Sequence, residues 1–210
     1  LGNEVKKSFL AEYPVRVINN GIDLDTFRPI QSDFRKKYQI ENKFIILGVA
    51  SSWAPRKGLD VFVKLAEDLP EEYQIVIVGI DEREKNKLPE TIISITRTNN
   101  QKELAEIYSV ADVFVNPTRE ENFPTTNIEA LACGTGVITY RTGGSPEIID
   151  QETGVVVEKD NYDELKQAIF KVKKDGTFSK EKCRNRSMKY SRDERYKEYV
   201  ELFESILEGR

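Results

Sequence analysis

Glu121 and Glu129, with seven residues between them, enclose the segment Asn122-Phe123-Pro124-Thr125-Thr126-Asn127-Ile128. Carboxylates accept hydrogen bonds from sugar hydroxyls, singly or as vicinal pairs. The Phe-Pro-Thr-Thr stretch reads as a turn entering a helix, with free N–H groups at Thr125, Thr126 and Asn127 and Pro124 at the first helical position. A helix start is a natural receptor for phosphate oxygens. The segment can therefore serve a sugar, a pyrophosphate and a ribose together. Spacing does not single it out, because Glu4/Glu12 and Glu82/Glu90 have the same separation.

Arg56-Lys57-Gly58 adds two cations just ahead of another predicted helix, suited to a diphosphate. Gly143-Gly144 permits close backbone approach or positive φ. Asp23-Leu24-Asp25 has the form of a metal-holding DxD, but it follows the Asn20-Gly21 turn in an irregular segment and is set aside. Trp53 reads as a packing lid. The chain contains no His, which removes imidazole bases, Ser-His triads and most zinc sites. Cys133 and Cys183 are the only cysteines and form no CxxC, so neither a metal site nor a disulfide framework is expected.

These residues need a frame. Near-continuous apolar runs at Phe44–Ala50, Gln74–Gly79, Thr91–Thr96, Asp112–Asn116, Val137–Tyr140 and Gly154–Glu158 alternate with helical spacing at Leu59–Leu69, Lys102–Ser109 and Thr125–Cys133. Buried strands each followed by a helix predict a doubly wound, Rossmann-like α/β domain with a parallel sheet of about six strands, covered on both faces. Ligands of such sheets bind beyond the carboxyl ends of the strands. The loops leaving those ends carry Ser51–Gly58, Arg97–Asn100, Pro117–Phe123 and Arg141–Glu147, whereas the other Glu pairs lie elsewhere. Val15–Ile18 reads as a further short strand. Helices fill most of 161–208, the last (191–208) with apolar positions Tyr196, Tyr199, Val200, Phe203, Ile206 and Leu207. The expected division is an irregular segment at 1–30, the α/β domain at 31–190 and a C-terminal helix at 191–210, with both ends shaped to pack on something further.

The 210 residues are 39% hydrophobic and 32% charged, with a net charge of −4. Dispersed Lys and Arg argue against nucleic acid as a partner. No apolar run reaches the ~20 residues of a membrane span, and no signal peptide opens the chain, so a reducing, cytoplasmic setting is expected. Locally basic stretches at Lys166–Lys174 and Lys180–Lys189 read as solvated helix faces, with attraction to an anionic membrane surface as the second reading.

Taken in order, several motifs resemble the C-terminal, donor-binding half of GT-B glycosyltransferases of family 4, the retaining type. Asn20-Gly21-Ile22-Asp23 with Phe27 and Pro29 is similar to the segment between the two halves. Lys57-Gly58 resembles the phosphate element, Tyr108 to Pro117 the "Y..AD.fv.PS" strand, Glu121 to Thr135 the "E-x7-E-A-x-A-C-G" signature, and Gly143 to Ile148 the "GGxPEI" segment. The resemblance implies a UDP- or GDP-sugar donor and no separate cofactor or metal. It implies Glu121 on the donor sugar and Glu129 on the ribose. It further implies Lys57 on the diphosphate, Thr125 and Thr126 on phosphate, Phe123 at the donor site, and Arg97 with Thr98 near the base. Transfer would retain configuration, toward an acceptor glycan or lipid-linked glycan held by an N-terminal domain beyond this chain, without which the chain is expected to be inactive. The sequence departs from the pattern at Ser52, where the family has Arg and where Arg56 is the nearby substitute. It departs also at Asn122 and Pro124, where Gly is usual, and at Gly136, where Pro is usual. The alternatives are a nucleotide-sugar 2-epimerase of the same architecture, which the lack of His disfavours, and a non-catalytic nucleotide-binding module.

Overall fold

The computed structural model describes residues 2–176 and 178–209. A turn of helix α1 (Gly2–Val5) and an irregular stretch lead to α2 (Phe34–Lys37). The alternating body follows: β1 (Phe44–Val49), α3 (Leu59–Asp68), β2 (Tyr73–Val78), α4 (Glu82–Lys85), β3 (Ile93–Ile95), α5 (Gln101–Val110), β4 (Val113–Asn116), α6 (Thr125–Ala132), β5 (Val137–Tyr140), α7 (Ser145–Ile148), β6 (Gly154–Val157) and α8 (Tyr162–Asp175). Helices α9 (Lys180–Ser187) and α10 (Arg192–Glu208) close the chain.

All six strands are parallel and stand in the order β3-β2-β1-β4-β5-β6. The period-two alternation of strand side chains explains why the apolar runs are unbroken. In β1, Ile45 and Leu47 face one core layer with Ala105, Tyr108, Ile128 and Leu131 of α5 and α6. Phe44 and Ile46 face the opposite layer with Phe62, Leu65, Leu165 and Ile169 of α3 and α8. Burial on both faces leaves no polar side to the central strands.

Val15–Ile18 is not a strand, contrary to the sequence expectation; the isolated bridge in this part of the chain pairs Ile22 with Ser191. Among the described residues these β-branched positions pair with no strand, and strand propensity without a partner ladder does not make a strand. The two ends of the chain meet instead. Ile22 N–H donates to the Tyr190 carbonyl (3.0 Å), Arg192 N–H to the Ile22 carbonyl (2.8 Å), and Arg192 pairs with Asp23 at 3.4 Å. Helix α10 buries no residue, and its Tyr196, Val200, Phe203, Ile206 and Leu207 stand exposed, as do Phe9 and Tyr13. No helix among the described residues is long and apolar enough to cross a membrane.

Candidate functional site

In the order 3-2-1-4-5-6, the succession of strands reverses its sense between β1 and β4, and a crevice opens beyond their carboxyl ends. A cleft of about 870 Å³ lies there. Its walls are the loops after β1 (with Lys57), after β2 (Gly79–Asp81), after β3 (Thr96–Thr98) and after β4 (Glu121, Phe123), the start of α6, and Asn20 from the irregular segment. Of the residues singled out in the sequence, Lys57, Arg97, Thr98, Glu121, Phe123, Thr125, Thr126 and Glu129 all line this one space. Arg56 does not: it is exposed, and its guanidinium lies 3.4 Å from the Glu120 carbonyl.

Lys57 and Glu121 form an ion pair across the cleft mouth, Nζ to Oε2 2.9 Å, with side chains 22% and 15% exposed. Three devices hold them there. Gly58 sits at φ +76°, and a Cβ on it would stand 2.5 Å from the Pro117 carbonyl oxygen, so the two loops touch backbone to backbone. Arg119 then clamps them: its N–H donates to the Arg56 carbonyl (2.8 Å), and its guanidinium donates to Pro55 O (2.9 Å), both Asp60 oxygens (2.8 and 2.7 Å) and Asp160 (2.6 Å). Hydrogen bonds from Arg119 hold the Asp60 carboxyl below its ordinary range. Third, Gly143, at φ +49°, would drive a Cβ to 2.0 Å from the Glu121 carbonyl oxygen, and Gly144 N–H donates to Asn122 O at 2.7 Å. The glycine pair thus accommodates the Glu121 loop.

Pro124 caps α6 from outside, at φ −75° and ψ 109°, one position earlier than a first-turn proline. Among the described residues the N–H groups of Thr125 and Thr126 have no protein acceptor and open on the cleft. The start of α6 is fixed to β4 by buried amides: Thr118 Oγ1 donates to Asn116 Oδ1 (2.7 Å), and Asn116 Nδ2 to Asn127 Oδ1 (2.8 Å). Glu129, half-buried, accepts from the hydroxyl of Tyr108 at 3.1 Å. Burial pushes its carboxyl above the usual range, and hydrogen bonds from Tyr108 and Thr125 pull it partway back. At the far wall, Asp81 accepts from Arg83 and Glu84 N–H (2.9 and 2.8 Å), and Thr96 donates to Glu82 (2.9 Å), which braces the loops after β2 and β3.

Sequence reasoning missed Tyr108, Arg119, Asn116 and Asn127 as supports. Only Tyr108 carried a signal, as a polar-tipped aromatic at an inward helix position. Trp53 donates to Val78 O (3.0 Å) and packs edge-on to Phe62, as a lid does. The Asp23 carboxylate accepts from Asp25 and Thr26 N–H within its own turn. Cys133 and Cys183 are buried and unbridged, their thiols pushed up to about 12 by burial. Among the described residues no cluster of three or more His, Cys, Asp or Glu is arranged to hold a metal.

Residues 30–194 match the family of glycosyl transferases group 1. The chain belongs to this family. It is 31% identical over 170 residues to a D-inositol 3-phosphate glycosyltransferase of Xylanimonas cellulosilytica, an alignment covering 72% of this chain and 40% of the relative. Sucrose-phosphate synthase of Thermosynechococcus elongatus superposes with a TM-score of 0.84 at 23% identity, over 99% of this chain and 57% of the other. Anabaena Alr3699/HepE in complex with UDP-glucose superposes with a TM-score of 0.78 at 18% identity, over 90% and 57%. The chain therefore spans about two fifths of the curated relative's length. Its fold is the Rossmann-like layer seen in GT-B transferases.

Proposed function

We propose that the chain is the donor-binding domain of a group 1 glycosyltransferase that uses a nucleoside-diphosphate sugar, UDP- or GDP-linked. The observation that carries this reading is the convergence, in one cleft at the switch point, of a cation (Lys57), two helix N–H groups with no protein acceptor among the described residues (Thr125, Thr126) and two carboxylates (Glu121, Glu129). The diphosphate lies at the start of α6, with Lys57 opposite. Glu129 accepts from the ribose, Arg97 and Thr98 border the base, and Glu121 with Phe123 borders the sugar.

In this arrangement catalysis is electrostatic. The sugar–oxygen bond to the β-phosphate breaks and negative charge gathers on the departing diphosphate. The N–H groups of α6 are already aimed at it and need no reorganisation, and Lys57 is drawn to it from its pair with Glu121. Similarity to the retaining family 4 enzymes supports attack from the face the diphosphate leaves, with no metal or other cofactor.

The acceptor, a glycan or lipid-linked glycan, then comes from a second, N-terminal domain, and the exposed apolar faces of α10 and the first 20 residues are the surfaces we assign to it. On this reading 1–30 links the halves, 31–190 binds the donor, and 191–210 crosses back. The domain alone binds donor without transferring sugar. The setting is cytoplasmic, with the basic C-terminal third offering peripheral contact to the inner face of a membrane.

The test is thermal unfolding with UDP, GDP and ADP, and their sugars, in the presence of chelator. A nucleotide at 100 times its dissociation constant raises stability by about 2.7 kcal/mol. Absence of any shift across the panel would refute the reading. Glu129→Gln suits the companion site test better than Glu129→Ala, which would orphan the buried Tyr108 hydroxyl at a cost of about 1–3 kcal/mol.

A further inference from the structure

The two carboxylates of the cleft are held in unlike ways. Glu121 is tied to Lys57, a cation that an incoming phosphate recruits. Glu129 is tied to Tyr108, a neutral donor that no ligand reaches. The Tyr108 ring is fully buried, wedged edge-on between Phe27 (centroids 6.3 Å) and Phe114 (5.5 Å), and its carbonyl accepts from Thr135 Oγ1 at 2.6 Å. Ring and backbone are both locked. Among the described residues the hydroxyl has a single partner, Glu129 Oε2.

A buried packing position favours phenylalanine unless the hydroxyl has a use. Here the hydroxyl fixes one oxygen of a long side chain that opens on the cleft, where Thr125 is its second hydrogen-bond partner. The carboxylate is left with Oε1 and its remaining lone pairs in a set direction. We propose that Tyr108 is a positioning residue that aims Glu129 at the vicinal hydroxyls of the nucleotide ribose, and so sets the preference for ribo- over deoxyribonucleotides. This rests on the donor-site reading above and adds to it a residue that never touches the ligand. Tyr108→Phe keeps the ring packing and removes the buried one of the two hydrogen bonds that orient Glu129. Recognition of the ribose hydroxyls then falls while contacts to diphosphate and base remain.

The experiment is calorimetric titration of the wild-type chain, Tyr108→Phe and Glu129→Asp with UDP and GDP and their 2′-deoxy and 3′-deoxy analogues. The wild type is expected to prefer the ribonucleotide by roughly tenfold, the worth of one hydrogen bond to a charged acceptor. Tyr108→Phe should reduce that preference to within about threefold, with affinity for the deoxy analogues unchanged. Glu129→Asp, which keeps the charge but withdraws it from the hydroxyl, should do the same. A purely structural Tyr108 would lower the unfolding temperature and leave the ribo/deoxy ratio intact; that result overturns the inference while the donor-site reading stands. Wild-type binding without ribose preference also overturns it, and no nucleotide binding at all overturns the donor-site reading with it.

Discussion

Replacing Glu121 by Gln should tighten binding of a nucleoside diphosphate. Lys57 is already engaged, 2.9 Å from Glu121, and a diphosphate must draw it away. Exposed ion pairs contribute about 0.2–1 kcal/mol and charged hydrogen bonds away from water about 1.5–3. With the two side chains 22% and 15% exposed, the pair falls between these limits, at about 1–2 kcal/mol. Removing the charge returns that amount to the ligand, a gain of about five- to thirtyfold in affinity. The amide still accepts from Asn122 N–H, now 3.0 Å from Oε1, so the loop should hold. The nucleotide sugar should gain less, because its hydroxyls lose a charged acceptor. The assay is calorimetric titration at low salt, arranged as a double-mutant cycle with Lys57→Ala. On the Lys57→Ala background, Glu121→Gln should change little. A Glu121→Gln variant that binds the diphosphate more weakly than wild type, or gains equally without Lys57, would refute the reasoning.

Further outcomes are open to direct measurement. Burial holds Glu129 above its ordinary value, so between the unfolded and folded values the native state binds the extra proton and stability falls as pH rises. Glu129→Gln should therefore raise the unfolding temperature at pH 7, with the advantage fading toward about pH 4, as a melting series across pH would register. Gly143→Ala forces a Cβ into the Glu121 carbonyl at φ +49° and should cost about 2 kcal/mol or more in denaturant unfolding, with nucleotide affinity falling alongside as the Glu121 loop shifts.

The sheet was legible in the sequence because strands buried on both faces are nearly continuous apolar runs; β1, β2, β4 and β5 lie where those runs are. Of three equally spaced Glu pairs, the one carried by a loop at a strand's carboxyl end lines the cleft. Residues acting through distant partners were not legible. Arg119 reads as a solvated loop cation, yet its partners Asp60 and Asp160 come from either side of the chain, 59 and 41 positions away. Gly143-Gly144 announced a close approach without saying to what, and the neighbour is the Glu121 backbone. Arg56 and Lys57 are adjacent and chemically alike. Only the direction of the Pro55–Lys57 turn, clamped by Arg119, sends one into the cleft and the other outward. Val15–Ile18 had the composition of a strand but pairs with none among the described residues.

The N–H groups of Thr125 and Thr126 are the least ambiguous reporters of the site, since both face the cleft and neither has a protein acceptor among the described residues. Amide chemical shifts of the labelled domain, followed during titration with UDP or GDP in chelator, test the account most directly. It predicts the largest changes at Thr125 and Thr126, with smaller ones at Lys57, Arg97 and Glu129. Changes centred on the separate cleft around Arg35 and Lys180, or none with either nucleotide, would contradict it.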